Sequence, residues 1–424
     1  MNTVLILAYY FPPLGMGGTQ RVAKFVKYLP QFGWRPLVVT VKDVAYYAKD
    51  TTLLEDVTAA EVFRTGSLDP QRLLACFARN KPAVTTTPDA SSHKRWRVLN
   101  KIAGWVFIPD LKVLWLPFAF VRAFRIIRQR KVECLLTTSP PHSTHLTGWL
   151  LKKLTGIRWV ADFRDGWSQG DFQIEPARLH RWLNRKLEQK VIQTADAVIG
   201  VSAGLVQKLA QLNLEVESKF HLITNGYDQE DLLKIKSPAA KDKFTMTYCG
   251  SVSAMAPLTS LVNSLHRLLK SQPDLRGKMV LELVGLDLEG KVTSQVHQFR
   301  LQDVVQQRGY VSHLMALETI LYADLLLYPI APRATQNFIP GKTFEYLAAR
   351  KPVLALGPAV EGVEILRAHS SVERVDHADT DAIQNVILTH FNEFYNRTSA
   401  DVAESDISVF ERKALTEKLA ALLK

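Results

Sequence analysis

Short apolar runs recur along the chain, and longer stretches in which apolar residues return every three or four positions separate them. The first series comprises VLILAYY, PLVVTV, VECLLTTS, IRWVADF, AVIGVS and FHLITNG; the second comprises FTMTYCG, MVLELVG, GYV, ADLLLYPI and PVLALG. Continuous apolar runs suit strands buried on both faces, and their alternation with helix-period segments predicts parallel sheets covered by helices. Between the series, YDQEDLLKIKSPAAKDK (Tyr227 to Lys243) gives up the apolar pattern for charge, Ser and Pro, as a connection between domains does. The expected class is therefore α/β, with two doubly wound domains over residues 1–235 and 240–405. A last helix, at about 408–424, carries Leu415, Leu419 and Leu422 along one stripe.

A length of 424 residues fits two cores better than one, and 47% hydrophobic with 22% charged residues is an ordinary globular composition. MNTVLILAYYFPP has no basic leader and reads as a first strand. VLWLPFAFV (Val113 to Val121) falls short of the roughly 20 apolar residues of a membrane-spanning helix. Cys76, Cys134 and Cys249 lie far apart without His at ligand spacing, so a reducing, cytoplasmic setting without a structural metal is expected. The formal charge of +12 changes the picture more, because it calls for anionic partners. Basic residues gather with Trp, Phe, Leu or Ile in HKRWR (His93 to Arg97), RAFRIIRQRK (Arg122 to Lys131) and RLHRWLNRKLEQK (Arg178 to Lys190). Each cluster could be a solvated helix face, but three in one half of the chain favour an anionic membrane surface over nucleic acid. KPAVTTTPDASSH (Lys81 to His93) has a loop composition.

Open α/β sheets bind ligands beyond the carboxyl ends of their strands, so the chemistry is sought in the loops there. FPPLGMGGTQR brings Gly15, Gly17 and Gly18 to the start of a helix bearing Val22, Phe25, Val26 and Leu29 on one face. Such a loop can admit an anion or be only a tight turn, and its G-x-G-G order does not fit the dinucleotide fingerprint. TTSPPHSTHLTGW offers His142 and His145 as hydrogen-bond or proton-transfer groups. WVADFRDGW ends a strand on Asp162, Arg164 and Asp165, read either as an internal Asp–Arg pair or as an Asp facing a substrate hydroxyl. Gly250 and Ser251 follow one strand of the second series, and Gly285 follows another. The most informative stretch is RATQNFIPGKTFEYLAARKPVLAL (Arg333 to Leu356). Here Pro340 suits the first helical position, Gly341 leaves free amides open, Lys342 sits in the first turn, and Glu345 lies one turn deeper on the same face. Gln336 stands where a P-loop needs glycine. A lysine at the positive end of a helix makes sense if a diphosphate binds there, with Glu345 set for sugar hydroxyls.

Taken together, the glycine loop, ADFRD, ADAVIGVS with ITNGYD, and PGKTFEYLAARKPVLAL resemble the retaining glycosyltransferases of family 4, in the branch that builds bacterial surface polysaccharides. The resemblance implies the GT-B fold, two Rossmann-like doubly wound domains facing across a cleft, with the terminal helix crossing back onto the first. It also implies a nucleotide-sugar donor on the second domain. Glu345 would bind the ribose, Gly341 and Lys342 the diphosphate, and Val311 the base, with Gly250, Ser251 and Gly285 near the phosphates. Gly17, Gly18 and Arg21 would face donor phosphate or acceptor, while His142, Asp162, Arg164 and Asp165 would line the side of a saccharide or lipid-linked saccharide acceptor. Asp162, His142 and Lys342 are then the catalytic candidates. Two positions depart from the family: Asn337 replaces the first of two paired glutamates, and GSVSAMAPL lacks the usual Arg and Lys, leaving Lys342 and Arg333 to supply that charge. The implied reaction is hexosyl or N-acetylhexosaminyl transfer with neither cofactor nor obligatory metal. A nucleotide-sugar epimerase of the same architecture and an inactive sugar-nucleotide-binding protein are the alternatives.

Overall fold

The computed structural model describes residues 1–42, 44, 48–69, 105–168, 177–212, 217–236, 241–397 and 405–424. Cys76, the loop-like stretch at 81–93 and the basic cluster at 93–97 lie outside these. The chain divides into two compact units, Met1–Thr224 with Lys413–Lys424, and Asn225–Arg412.

In the first unit, β1 (Asn2–Leu7), β2 (Trp34–Val41), β3 (Glu61–Thr65), β4 (Cys134–Ser139), β5 (Arg158–Phe163), β6 (Ala197–Gly200) and β7 (Phe220–Leu222) form one parallel sheet. Its order is β3-β2-β1-β4-β5-β6-β7. The helices are α1 (Gly17–Tyr28), α2 (Leu116–Gln129), α3 (Ser143–Thr155), α4 (Arg178–Thr194) and α5 (Ala203–Gln211). Successive strand residues point to opposite faces, so the continuous apolar run of β1 feeds two layers. Leu5 and Leu7 join Trp159, α2 and α3 on one side. Val4 and Ile6 join Val22, Phe25, Val26 and Leu29 on the other.

The second unit repeats the plan with β8 (Phe244–Cys249), β9 (Met279–Val284), β10 (Val305–Gly309), β11 (Leu325–Pro329), β12 (Val353–Leu356) and β13 (Val372–Val375), ordered β10-β9-β8-β11-β12-β13 and parallel throughout. Its helices are α6 (Gln229–Leu233), α7 (Thr259–Ser271), α8 (Lys291–Gln298), α9 (His313–Tyr322), α10 (Thr343–Ala349), α11 (Glu361–Arg367) and α12 (Thr380–Asn396). The last helix, α13 (Arg412–Leu423), buries Leu415, Leu419, Ala420 and Leu423 in the first unit's core beside Val4 and Ile6. Leu422, expected on its stripe, is only partly buried, and its carbonyl accepts from Arg158 Nη2 at 3.0 Å.

In each sheet the strand order turns outward in both directions from one pair, β1 with β4 and β8 with β11, and such reversals are where doubly wound sheets open a crevice. Three strands depart from the sequence expectation. The run GYV is not a strand; β10 is VQQRG, whose exposed Gln306, Gln307 and Arg308 suit a sheet edge. Two more edge strands, β3 (EVFRT) and β13 (VERV), carry too much polarity for an apolar-run criterion. Among the described residues no helix is long and apolar enough to cross a membrane, and no group of three or more His, Cys, Asp or Glu could hold a metal ion.

Candidate functional site

In the second unit the candidate site is built on the ends of β8 and β11 and the start of α10. After β11 the chain makes short turns, Phe338 N to Thr335 O at 3.1 Å and Thr343 N to Pro340 O at 3.1 Å. Thr343 Oγ1 donates to Pro340 O at 2.6 Å and lies 2.6 Å from the Tyr328 hydroxyl, closing that turn before the helix begins. Pro340 is therefore not the first helical residue, and Lys342 flanks the helix rather than standing inside it.

The Lys342 ammonium lies 3.7 Å from the centroid of the Tyr248 ring. A Cβ on Gly250 would come within 2.6 Å of Nζ, and Gly250 has φ of 145°, so glycine is what lets the lysine rest on the end of β8. Burial, partly offset by Cys249 and Glu345, lowers the lysine pKa to about 7. No carboxylate of the described residues lies within ion-pair distance of it, although Glu345 acts on it electrostatically. Glu345 places Oε1 3.6 Å from His313 Nδ1. Tyr248 and His313 escaped the sequence reading because an aromatic in a strand and a histidine opening a helix have commoner structural explanations.

Gly285 serves this site from behind. With φ of 136°, its backbone abuts the post-β8 loop, where an added Cβ would stand 2.3 Å from Gly250 O. Gly250 N donates to Val284 O, and Gly285 N to Gly309 O, each at 2.7 Å. Gly285→Ala is accordingly expected to cost ~1–3 kcal/mol in a urea unfolding curve and to weaken any ligand held by Gly250 and Lys342. The Ser251 carbonyl accepts from the Tyr248 hydroxyl at 3.1 Å. Val311 packs on the same apolar layer as Phe338, Arg333 is exposed, and Asn337 is half-buried on the post-β11 loop.

In the first unit Gly17 and Gly18 open α1, preceded by Met16 at φ 76°, with neither a side-chain cap nor an acidic residue in the first turn. Arg164 donates from Nε to Ser139 O at 2.9 Å and from Nη2 to Pro140 O at 2.6 Å. Its Nη1 is buried without a hydrogen-bond partner, and a Cβ on Gly18 would fall 2.1 Å from it. A guanidinium against the uncapped, positive end of a helix is the arrangement of an anion site. His142 stacks on Trp167 with centroids 5.2 Å apart, and its Nδ1 is buried and unpartnered. Burial, with Arg164 adding to it, lowers the His142 pKa to about 3. That ring is neutral at physiological pH and is too weak a base for proton transfer there. His145, 2.7 Å from Thr137 Oγ1, is held well below the usual histidine range by burial, then by His142 and Arg164.

Asp162 and Arg21 are not placed as expected. Arg21 is wholly buried and donates from Nη2 to Asp162 Oδ1 at 2.8 Å and from Nε to Asp162 Oδ2 at 3.2 Å. It also donates to Thr224 O at 2.6 Å and Ile223 O at 2.8 Å. Thr138 Oγ1 donates to the same Asp162 Oδ2 at 2.8 Å. The carboxylate is thus engaged inside the sheet, and the internal pair it forms is with Arg21 rather than Arg164. Asp165 is exposed beyond β5.

The family described as glycosyl transferase 4-like domain matches residues 16–226. A search of the curated proteins found no match. Among solved structures, that of Anabaena HepE in complex with UDP and glucose aligns over 100% of this chain and 99% of its own, with 15% identity and a TM-score of 0.65. Sucrose-phosphate synthase from Thermosynechococcus elongatus aligns over 100% and 98%, with 17% identity and a TM-score of 0.61. A putative UDP-N-acetylglucosamine 2-epimerase from Listeria monocytogenes aligns over 100% and 95%, with 12% identity and a TM-score of 0.56. With two parallel sheets wrapped in helices the chain has the GT-B fold of two Rossmann-like domains, and its residues 16–226 carry the glycosyl transferase 4-like domain.

Proposed function

We propose that this glycosyltransferase moves a hexosyl or N-acetylhexosaminyl group from a nucleoside diphosphate to a hydroxyl acceptor with retention of configuration. The observation that carries the reading is the Lys342 ammonium, seated on Tyr248 beside Gly250 with no carboxylate of the described residues in ion-pair contact. A cation kept in that state is suited to a diphosphate, whose charge builds as the glycosidic bond breaks. Lys342 and the amides around Gly341 hold the diphosphate, Glu345 takes the ribose hydroxyls, and Val311 borders the base. Arg333 and Asn337 are assigned to the donor as well. The acceptor proton passes to a leaving phosphate oxygen, so no protein nucleophile is required, and the neutral His142 serves as a hydrogen-bonding group toward the acceptor. Gly17, Gly18 and Arg164 supply the acceptor's anion-binding edge. That HepE was solved with UDP and glucose supports a donor of this class.

A panel of UDP-, GDP- and ADP-sugars, followed by melting temperature and by release of free nucleoside diphosphate, tests the reading. A matched donor at about 100 times its Kd adds roughly 2.7 kcal/mol to stability. Isomerisation of the donor without an acceptor would instead mark an epimerase, and binding without turnover an inactive binding protein.

The acceptor we propose is a lipid-linked saccharide at the cytoplasmic face of a membrane, in polysaccharide or glycolipid biosynthesis. Support comes from the outer surfaces of α2 and α4, where Phe118, Val121, Leu179 and Trp182 are exposed among exposed Arg122, Arg125, Arg178, Arg185 and Lys186. The protein should co-sediment with phosphatidylglycerol vesicles but not with phosphatidylcholine vesicles. Each of Arg178→Ser and Arg185→Ser should weaken that binding about fivefold, since a basic residue near an anionic surface contributes ~1 kcal/mol.

A further inference from the structure

The carboxylate of Glu345 is the outer end of a three-residue chain. Its Oε1 lies 3.6 Å from His313 Nδ1, and the other ring nitrogen, Nε2, lies 3.3 Å from Asp231 Oδ2. The three residues come from three different helices of the second unit, α6, α9 and α10. Exposure rises along the chain, from 4% for the Asp231 side chain through 9% for His313 to 18% for Glu345. The series begins in the interior and ends on the carboxylate that a ligand can reach.

Both ends of the ring are anchored by local structure. Ser312 caps α9, its Oγ 3.4 Å from Met315 N, which fixes His313 as the first residue of the helix. Asp228 caps α6 by accepting from Glu230 N at 3.0 Å, which fixes Asp231 three residues later. Among the described residues Glu345 has no ion pair beyond the ring. A glutamate on a helix has several rotamers, and only a side chain held by a second group presents its free oxygen to a ligand in one orientation.

We infer that His313, backed by Asp231, is a positioning residue that sets the Glu345 carboxylate toward the ribose hydroxyls of the donor nucleotide. This rests on the proposed reading of Glu345 as the ribose ligand. His313 does not touch the nucleotide; it acts through Glu345. A carboxylate that accepts from a ribose hydroxyl discriminates against a sugar that lacks it, and the discrimination depends on the carboxylate being held in place.

Calorimetric titration of the full chain with UDP and 2′-deoxy-UDP, GDP and 2′-deoxy-GDP, and ADP and 2′-deoxy-ADP tests this. The wild type should bind one ribonucleotide about tenfold more tightly than its deoxy partner. In His313→Ala and in Asp231→Asn that ratio should fall to about twofold or less, with the deoxynucleotide affinity nearly unchanged. His313→Ala added to Glu345→Gln should cost nothing further, because residues that act through one another are not additive. A folded His313→Ala that keeps the wild-type ratio, or losses that add in the double variant, would overturn the inference and leave the proposed function standing. A wild type that binds one of the nucleotides without discriminating overturns the inference together with the ribose reading of Glu345, and one that binds none overturns the proposed function as well. If His313→Ala does not fold, Asp231→Asn, which preserves side-chain size, decides by the same ratio.

Discussion

Lys342→Met is expected to remove much of the stabilisation produced by the matched nucleotide sugar and, at the same time, to raise the melting temperature of the free protein at pH 6 to 7. The two effects have one origin. Burial holds the ammonium at a pKa of about 7, well under the ordinary lysine value, and Cys249 and Glu345 offset that burial only in part. From about pH 7 up to that ordinary value the unfolded chain binds a proton here that the folded chain has released, so this residue makes the free protein more stable as pH rises. Below pH 7 both states carry the proton and the cost of burying it is fully expressed. The gain from methionine is therefore largest at pH 6 and fades towards pH 10. Donor affinity runs the other way, since a diphosphate binds the protonated lysine and weakens as pH climbs through 7. Loss of that charge-assisted contact is worth about 1.5–3 kcal/mol, roughly 10- to 150-fold in Kd. Melting curves and donor titrations between pH 6 and 10 check both halves. A Lys342→Met variant that still binds donor with wild-type affinity would remove the diphosphate assignment.

Arg21→Met is expected to be the most destabilising single change in the first unit, at about 3–5 kcal/mol, because it strands a buried carboxylate without its cation. Asp162 keeps only Thr138 Oγ1, and the carbonyls of Ile223 and Thr224 lose their donors. Asp162→Ala strands the guanidinium in the same way. If Asp162 instead contacted the acceptor, Asp162→Asn would lower kcat and leave the urea midpoint where it was. The structure predicts a lower midpoint, lost in the transition that reports the first unit, because all the carboxylate's neighbours are protein groups.

These residues also show how much the sequence conveyed. Interior strands such as β1, β4, β8 and β11 were legible because burial on both faces forces an unbroken apolar run. Three of the four edge strands, β3, β10 and β13, were not, because their outer sides meet water and admit Glu, Gln and Arg. The same asymmetry holds at the sites. Lys342, Glu345, Gly250 and Arg164 stood out as residue types conspicuous after a strand or at a helix start. What the sequence withheld was partnership. Asp162 and Arg21 are 141 positions apart, so the acid two positions before Arg164 in the chain belongs in space to another arginine. Tyr248, His313 and Asp231 acquire meaning only when the ends of β8, α9 and α6 are brought to the start of α10. Pro340 misplaced the helix start because the Thr343 side chain closes a turn that backbone propensity does not anticipate.

The last helix has a consequence for the order of biosynthesis. Leu415, Leu419 and Leu423 complete a core whose other members, Val4 and Ile6 among them, leave the ribosome first. At translation speeds of 5–20 residues per second, the span from Thr224 to Leu423 takes roughly 10–40 s. For that interval part of the nascent sheet's apolar face lacks its final cover, a natural binding surface for a chaperone until the last turns arrive.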